Sequence, residues 1–448
     1  MALSGMQKAG WGLADMGINV FVVVKQLLVF TFLTTFQGVP VGVAGWVTFA
    51  VLAFDVVTDP LVGYLSDRTQ SRWGRRAPWI FVGAVLLALG IVGIFAVPEG
   101  MDWRANMMWV IGFFGAATIG FTFVAIPYGA QAGEMTEDAR ERSAMTAFRM
   151  GFASLGLLLA GGVVPALAGN TREGYLSAVL TIAPVVVLTI WASLWFTRKA
   201  PRITQPATGN FRQMLKLVLG NRSFVILVVI YGVLTLGVAI IAAGLQLAAL
   251  YLIGTVTEGI IGGLVGALGM FSVLFTAFII GSILSQYLWV RISARWGKLG
   301  ALGLGIGLYV LVLLAIYMQL PATSFAPIAA LFLAAGLTNG AYQQVPWAMY
   351  PDLMDITRRE SGEAIEGAFS AFWLFGQKVA NAFAPLVLGT VLAVYGWRES
   401  TQGVIEQPQE ALEALRMALT LLPAALLGIG LASLCFFYRP SLPPDVHR

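Results

Sequence analysis

The chain alternates between long apolar runs and short polar connections. Twelve of the runs are long enough to cross roughly 30 Å of hydrocarbon, which takes about 20 helical residues. Each run is continuously apolar, whereas a lipid-exposed strand alternates apolar and polar residues over about ten positions, so the pattern predicts helices. The predicted helices cover residues 10–36, 41–66, 78–98, 107–133, 143–168, 175–197, 223–253, 259–290, 298–320, 325–350, 366–396 and 411–437.

Composition agrees with a membrane environment. Of the 448 residues 58% are hydrophobic and 11% charged, and the mean hydropathy is +0.82, whereas soluble domains carry about 25% charged residues. An all-α membrane protein is expected. The first run contains Asp15 and Lys25 and lacks a cleavage site, which favours a retained helix over a signal peptide. Cys435 and His447, the single cysteine and histidine, offer neither a disulfide nor a core catalyst.

The positive charges indicate the orientation of the helices. Most Lys and Arg residues fall in the termini and in alternate loops, which predicts that both termini are cytoplasmic. The net charge of +5 is explained by this topology, so no nucleic-acid partner is expected.

The chain divides into two similar halves. Its longest polar connection, 198–222, is predicted to link a six-helix half at 1–197 to a second at 223–448. The sequence Arg-Trp-Gly-Arg at 72–75 returns as Arg-Trp-Gly-Lys at 295–298, and Ile-Pro-Tyr at 126–128 returns as Val-Pro-Trp at 345–347. Repeated halves are typical of transporters that expose a central site alternately to each side. No GxxxxGK[ST] phosphate loop is present, so the protein is not expected to be an enzyme.

Charges inside the predicted helices mark candidate sites, because each costs on the order of 3 kcal/mol to insert. Asp55 and Asp59 lie one turn apart on the second helix with Thr58 beside them. Two neighbouring carboxylates repel unless a proton or cation joins them, which favours a cation site. The alternative is a structural ion pair, for example with Lys378 of the eleventh helix.

Other charges suggest a cavity and a gate. Lys378 and Arg149 are deep enough in their helices to line a cavity. Lys25 and Asp15 are less easily assigned. The loop that contains Asp67, Arg68, Arg72, Arg75 and Arg76 is interpreted as a gating latch, with acidic partners expected in the opposite half. The acidic stretches 134–142 and 352–366 could supply such partners, although both could equally be solvated charged faces.

Two long motifs resemble those of a known family. The stretch Asp-Val-Val-Thr-Asp-Pro-Leu-Val-Gly at 55–63 and the loop at 66–79 resemble the signature of the glycoside-pentoside-hexuronide:cation symporters of the major facilitator superfamily. The resemblance implies a major facilitator fold of two six-helix halves. It also implies a sodium, lithium or proton site at Asp55, Thr58 and Asp59, which would make Asp55 and Asp59 metal ligands where sodium is used. Lys378 would lie close by, and a solute site between the halves would include Arg149.

The sequence departs from the sugar-transporting relatives at two positions. Asn19 and Ala125 stand where those relatives place aspartates that bind sugar hydroxyls. The chain also resembles sodium-dependent lysophospholipid symporters, through the helix-two aspartates, a Pro-Trp-x-Met-x-Pro-Asp stretch at 346–352 and the helix-eleven lysine. Asn19, Tyr128 and Trp347 complete the candidate cavity residues.

The expected function is cation-coupled symport of an organic solute by alternating access, with a sugar or glycoside favoured. The alternatives are a lysophospholipid or similar amphipathic lipid, another organic anion, and a non-transporting sensor on a transporter scaffold. The expected partners are the solute, a monovalent cation (Na⁺, Li⁺ or H⁺) and membrane lipid. We expect no cofactor, a monomer, and a location in a bacterial inner membrane.

Overall fold

A computed structural model describes residues 3–136, 138–169, 171–201, 211–254, 265–266, 268–322, 324–361 and 366–438. The described residues form helices joined by short loops, with one isolated β-bridge between Ile253 and Ala322. The long helices are α1 (Gly5–Phe36), α2 (Val41–Arg68), α3 (Ala77–Phe95), α4 (Trp103–Met135), α5 (139–168), α6 (Arg172–Thr197), α7 (Arg222–Tyr251), α8 (270–296), α9 (298–319), α10 (Phe325–Ser361), α11 (Glu366–Val394) and α12 (Gln409–Phe437). A shorter linker helix covers Phe211–Gly220.

The helix count depends on one glycine. Across the described residues, 11 helices are long and apolar enough to span a membrane, and one of them runs continuously over Met270–Gln319. Gly297 breaks it with a φ of 76°, a conformation that glycine adopts without strain. Counting α8 and α9 separately gives the predicted twelve, and the all-α membrane fold is confirmed. α10 extends to Ser361 instead of ending near 350, and the start of the predicted helix 259–290 lies outside the described residues.

The chain forms two compact units. The first is built on Met1–Pro206 and also takes in Trp397–Gln407, and the second is built on Ala207–Glu258, Val273–Gly396 and Pro408–Arg448. The passage from one unit to the other lies inside the predicted linker 198–222. Side-chain caps explain where several helices begin, since Asp102, Thr171 and Asn221 each accept a hydrogen bond from the first turn of α4, α6 and α7.

Glycines set the closest helix contacts of the first unit. A Cβ on Gly90 of α3 would lie 2.5 Å from the Ala117 backbone nitrogen of α4. In the same way a Cβ on Gly12 of α1 would lie 2.7 Å from the backbone nitrogen of Arg149 on α5, and one on Gly156 would lie 2.4 Å from the Met16 carbonyl oxygen. The α1–α5 crossing therefore requires glycine on both helices.

The two repeated Arg-Trp-Gly sequences share a glycine with a positive φ angle. Gly74 and Gly297 have φ angles of 91° and 76°. The basic residue after each glycine binds an acid in the C-terminal part of α4 or α10: Arg75 Nη2 lies 2.6 Å from a Glu134 oxygen, and Lys298 Nζ lies 2.6 Å from an Asp352 oxygen. The echo seen in sequence thus corresponds to a repeated ion pair, one in each unit.

One loop of the first unit comes from late in the chain. Ser400 donates its backbone N–H to Thr34 and accepts a hydrogen bond from the Gly38 backbone, while Gly403 donates to Thr35. The last carbonyls of α1 are thereby satisfied by residues 397–407, which removes the cost of leaving helix-end groups unpaired.

Candidate cation and solute sites

The acidic pair of α2 meets a hydroxyl of α4. Asp55 is only 2% exposed and Asp59 is half-buried. Thr122 Oγ1 lies 3.0 Å from Asp55 Oδ1 and 3.3 Å from Asp59 Oδ1. The two carboxylates and this hydroxyl therefore present three oxygens to one small volume, a donor set suited to a hard cation. Sequence reasoning missed Thr122, since a threonine in an apolar run is a weak signal.

Lys25 of α1 is an ion-pair partner of Asp55. Its Nζ lies 3.3 Å from Asp55 Oδ2, and Lys25 is 6% exposed. The same nitrogen lies 4.3 Å from the ring centroid of Phe121 and 5.3 Å from that of Phe21, so two aromatic faces also stabilise the charge. Lys25 lies in a five-residue π-helical segment, Val24–Leu28, a feature frequent at functional sites.

Thr58 is next to the pair but directs its proton elsewhere. Its hydroxyl lies 3.2 Å from the backbone carbonyls of both Phe54 and Asp55, as expected for a threonine within a helix. The hydroxyl can therefore offer a cation only its oxygen lone pairs.

The described residues contain no group of three or more His, Cys, Asp or Glu side chains that could hold a metal ion.

Three of the predicted cavity residues lie together around Asp15. Arg149 Nε is 3.1 Å from Asp15 Oδ2, and Asp15 is 3% exposed. The Arg149 guanidinium lies 5.7 Å from the Tyr128 ring centroid. Asn19 Nδ2 donates to the Asp15 backbone carbonyl at 2.8 Å. The close α1–α5 crossing at Gly12 places Arg149 beside this turn of α1.

Two features of this cluster were not predicted. Trp11 stacks on Tyr128 with ring centroids 4.7 Å apart, and its Nε1 donates to the Tyr128 carbonyl at 3.4 Å. Asp15 supplies a buried carboxylate one turn before Asn19, so the acid missing at position 19 is present at the preceding turn. Asp15 Oδ1 and the Tyr128 hydroxyl, both buried, have no hydrogen-bond partner among the described residues.

The second unit holds the other two cavity candidates. Trp347 Nε1 donates to the Tyr231 hydroxyl at 3.1 Å, and the Tyr231 ring stacks on Trp373 with centroids 4.3 Å apart. Gln377 donates to the same hydroxyl at 3.4 Å. Lys378, next along α11, is half-buried. In each half an aromatic contact joins the fourth helix to the first: Tyr128 stacks on Trp11, and Trp347 donates a hydrogen bond to Tyr231.

The loop that was predicted to act as a gate contacts acids of its own half. Arg75 and Arg76 both bind Glu134 at the end of α4, and Arg76 also pairs with Asp67 and donates to Ser66 Oγ at 2.8 Å. These Arg76 and Arg75 contacts use acids of the same unit, where partners in the opposite half were expected. Arg68 lies over the Tyr64 ring at 3.9 Å, and Arg72 is exposed.

Comparison with known proteins decides the family. The sequence profile of the MFS/sugar transport protein family matches residues 10–439. The chain belongs to this family. Among its relatives, YagG of Escherichia coli, a candidate glycoside/cation symporter by name, is 26% identical over 95% of this chain and 90% of its own. The sodium-dependent lysophosphatidylcholine symporter 1 of Mus musculus is 24% identical over 87% of this chain and 77% of its own.

Solved structures agree on the fold. The crystal structure of the nucleoside transporter NupG covers 98% of this chain and 100% of its own at 13% identity, with a TM-score of 0.66. The protein is therefore an integral membrane transporter of the major facilitator fold, in a family with symporters for glycosides and for lysophosphatidylcholine.

Proposed function

We propose that the protein is a cation-coupled symporter of a sugar or glycoside, with Asp55 and Asp59 as the coupling site. The observation that carries the proposal is the meeting of both carboxylates on the Thr122 hydroxyl, with Asp55 buried. A cation or a proton that binds here neutralises charge in a site poor in water, where an uncompensated carboxylate is costly. Binding of the ion thereby favours one conformation of the carrier, which is how an ion gradient can drive a solute.

The Asp15–Arg149 cluster is the proposed solute site of the first half. An Arg guanidinium has five donors in a fixed fork, and only some of them are used on Asp15. The remaining donors, the free Asp15 Oδ1 and the Tyr128 hydroxyl suit the hydroxyl groups of a carbohydrate. Lys378 and Trp347 remain proposed contributions of the second half.

The test is the variant Asp59→Asn, which keeps the shape of the side chain and removes its charge. We expect solute accumulation under an imposed sodium or proton gradient to be lost in reconstituted vesicles. Exchange of labelled solute across vesicles without a gradient should persist, because the solute site is separate. Asp102→Asn, at the N-cap of α4, makes the same chemical change outside the proposed site and should leave accumulation intact. Uphill accumulation equal to that of the parent in both Asp55→Asn and Asp59→Asn would show that the ion binds elsewhere.

A lysophospholipid is the second candidate, favoured by one specific observation. An apolar groove of about 420 Å³ runs between α7 and α11, lined by Val, Leu, Phe and Gly side chains that include Phe224, Val228, Phe375 and Phe383. Such a surface suits an acyl chain. Binding of a labelled glycoside to the purified protein is measured with unlabelled glycoside or lysophosphatidylcholine as competitor. This competition separates the candidates, since each ligand should displace label only from its own site.

The remaining assignments follow from this proposal. We expect a transporter without enzymatic activity or cofactor, in the bacterial inner membrane, with cytoplasmic termini and no nucleic-acid partner. We also expect one chain to suffice for transport.

A further inference from the structure

A buried ammonium of the protein itself contacts the acidic pair. Lys25 reaches Asp55 Oδ2 at 3.3 Å, while Thr122 binds the other oxygen of the same carboxylate at 3.0 Å. The two oxygens of Asp55 thus face two different partners. A free cation bound to Asp55 Oδ1, Thr122 Oγ1 and Asp59 Oδ1 would share the Asp55 carboxylate with the Lys25 ammonium.

The Lys25 ammonium and a cation bound to the same carboxylate are like charges, and they repel each other strongly in a buried site. Neighbouring charges at about 4–6 Å shift a binding equilibrium by roughly 1–3 powers of ten. Lys25 is only 6% exposed and Asp55 2%, so little solvent is available to screen the repulsion. Phe21 and Phe121 hold the ammonium on the pair by cation–π contacts, which lower its tendency to leave.

We propose that Lys25 is a tethered cation that competes with the free coupling cation for the acidic pair and so sets the affinity of the site for sodium. This inference rests on the proposed function, because it assumes that Asp55 and Asp59 form the cation site. The π-helical segment Val24–Leu28 gives Lys25 its place at the pair. A lysine in this turn makes the site weaker for free monovalent cations than the bare pair would be.

The experiment measures sodium affinity calorimetrically on the purified full chain, at constant pH and with choline chloride holding the ionic strength. Lys25→Met removes the ammonium while keeping an unbranched chain, and we expect the Kd for sodium to fall at least tenfold. Lys25→Arg retains a positive charge and should bind sodium as weakly as the parent. Lys8→Met is the matched control, since Lys8 pairs with Glu141 and lies 17 residues, or about 25 Å of helix, before Lys25 on α1, so its loss should leave the sodium Kd unchanged.

A second measurement covers the case in which Lys25→Met does not fold. Lys25→Ala leaves room for a small ammonium ion, so methylammonium should weaken sodium binding in this variant and have no such effect on the parent. Sodium Kd values for Lys25→Met and the parent within threefold of each other would overturn the inference, as would equal effects of methylammonium on Lys25→Ala and the parent.

The proposed function fails by a different result, namely uphill accumulation equal to that of the parent in both Asp55→Asn and Asp59→Asn. In that case the competition has no coupling site to act on, whatever the sodium affinity of Lys25→Met. Adding Asp59→Asn to Lys25→Met should also abolish the gain in sodium affinity. A double variant that keeps this gain would contradict the placement of the cation on the acidic pair.

Discussion

Removing Arg149 from its ion pair with Asp15 should lower the free energy of unfolding more than removing Asp15 does. Removing one partner of a buried ion pair costs about 3–5 kcal/mol, because it leaves the other charge buried without compensation. Asp15 is 3% exposed, so Arg149→Gln should approach this range. The Arg149 side chain is 43% exposed, and an exposed charge retains part of its solvation, so Asp15→Asn should cost only about 1–2 kcal/mol.

The assay is equilibrium unfolding in mixed micelles, followed by tryptophan fluorescence and analysed as a free energy of unfolding. The double variant Asp15→Asn, Arg149→Gln should fall within about 1 kcal/mol of Asp15→Asn alone, since the two residues share one interaction. Arg104→Gln is the matched control, because Arg104 is exposed and should change stability by less than about 0.5 kcal/mol. An Asp15→Asn variant less stable than Arg149→Gln would refute the reasoning.

Three further outcomes are expected. Gly156→Ala should separate α1 from α5 and lower the thermal unfolding midpoint, whereas Gly151→Ala, where a Cβ meets nothing within 4 Å, should not. Lys298→Met should speed backbone hydrogen exchange of α10 around Asp352, because the variant loses the ion pair that holds this part of the helix. Hydrogen bonds from Thr136 and the Leu3 backbone lower the pKa of Glu141 from its usual 4.5. The ionised carboxylate therefore holds the N-terminal segment above that pH, and the contact is lost as the pH falls through the lowered pKa. Backbone hydrogen exchange at residues 3–8 should be faster in acid, and Glu141→Gln should reproduce the faster exchange at neutral pH.

The helices and the family were predictable because they depend on local properties. Long apolar runs specify spanning helices whatever their neighbours, and the motif at 55–79 is specific enough to identify the family. The Arg-Trp-Gly repeat was also informative, since in both units its glycine has a positive φ angle and the basic residue after it binds an acid of the same unit. Helix ends were less predictable: α10 continues through the polar residues beyond 350, because Asp352 is held by Lys298 and the helix need not end where its apolar run ends.

The partners of the charges were not predictable from the sequence. Lys25 and Asp55 are 30 positions apart, and Thr122 is 67 positions from Asp55, so only the packing of α1, α2 and α4 brings them together. Arg76 was expected to reach across the protein, yet acids of its own half bind it. Asn19 indicated that an acid is missing from the first helix. A buried acid, Asp15, lies one turn earlier, and α5 places Arg149 beside it.

The loop at 397–407 has a consequence for any attempt to divide the protein. A cut in the connection 198–222 separates the chain into two polypeptides of nearly equal length, yet it assigns this loop to the fragment that carries α7 to α12. The fragment with α1 would then have the carbonyls of Thr34 and Thr35 unpaired at the end of its first helix, beside the Gly38 N–H that also loses its acceptor. Co-expressed fragments should therefore reassemble by backbone pairing at this end, and a fragment ending at the linker should fold poorly when made alone.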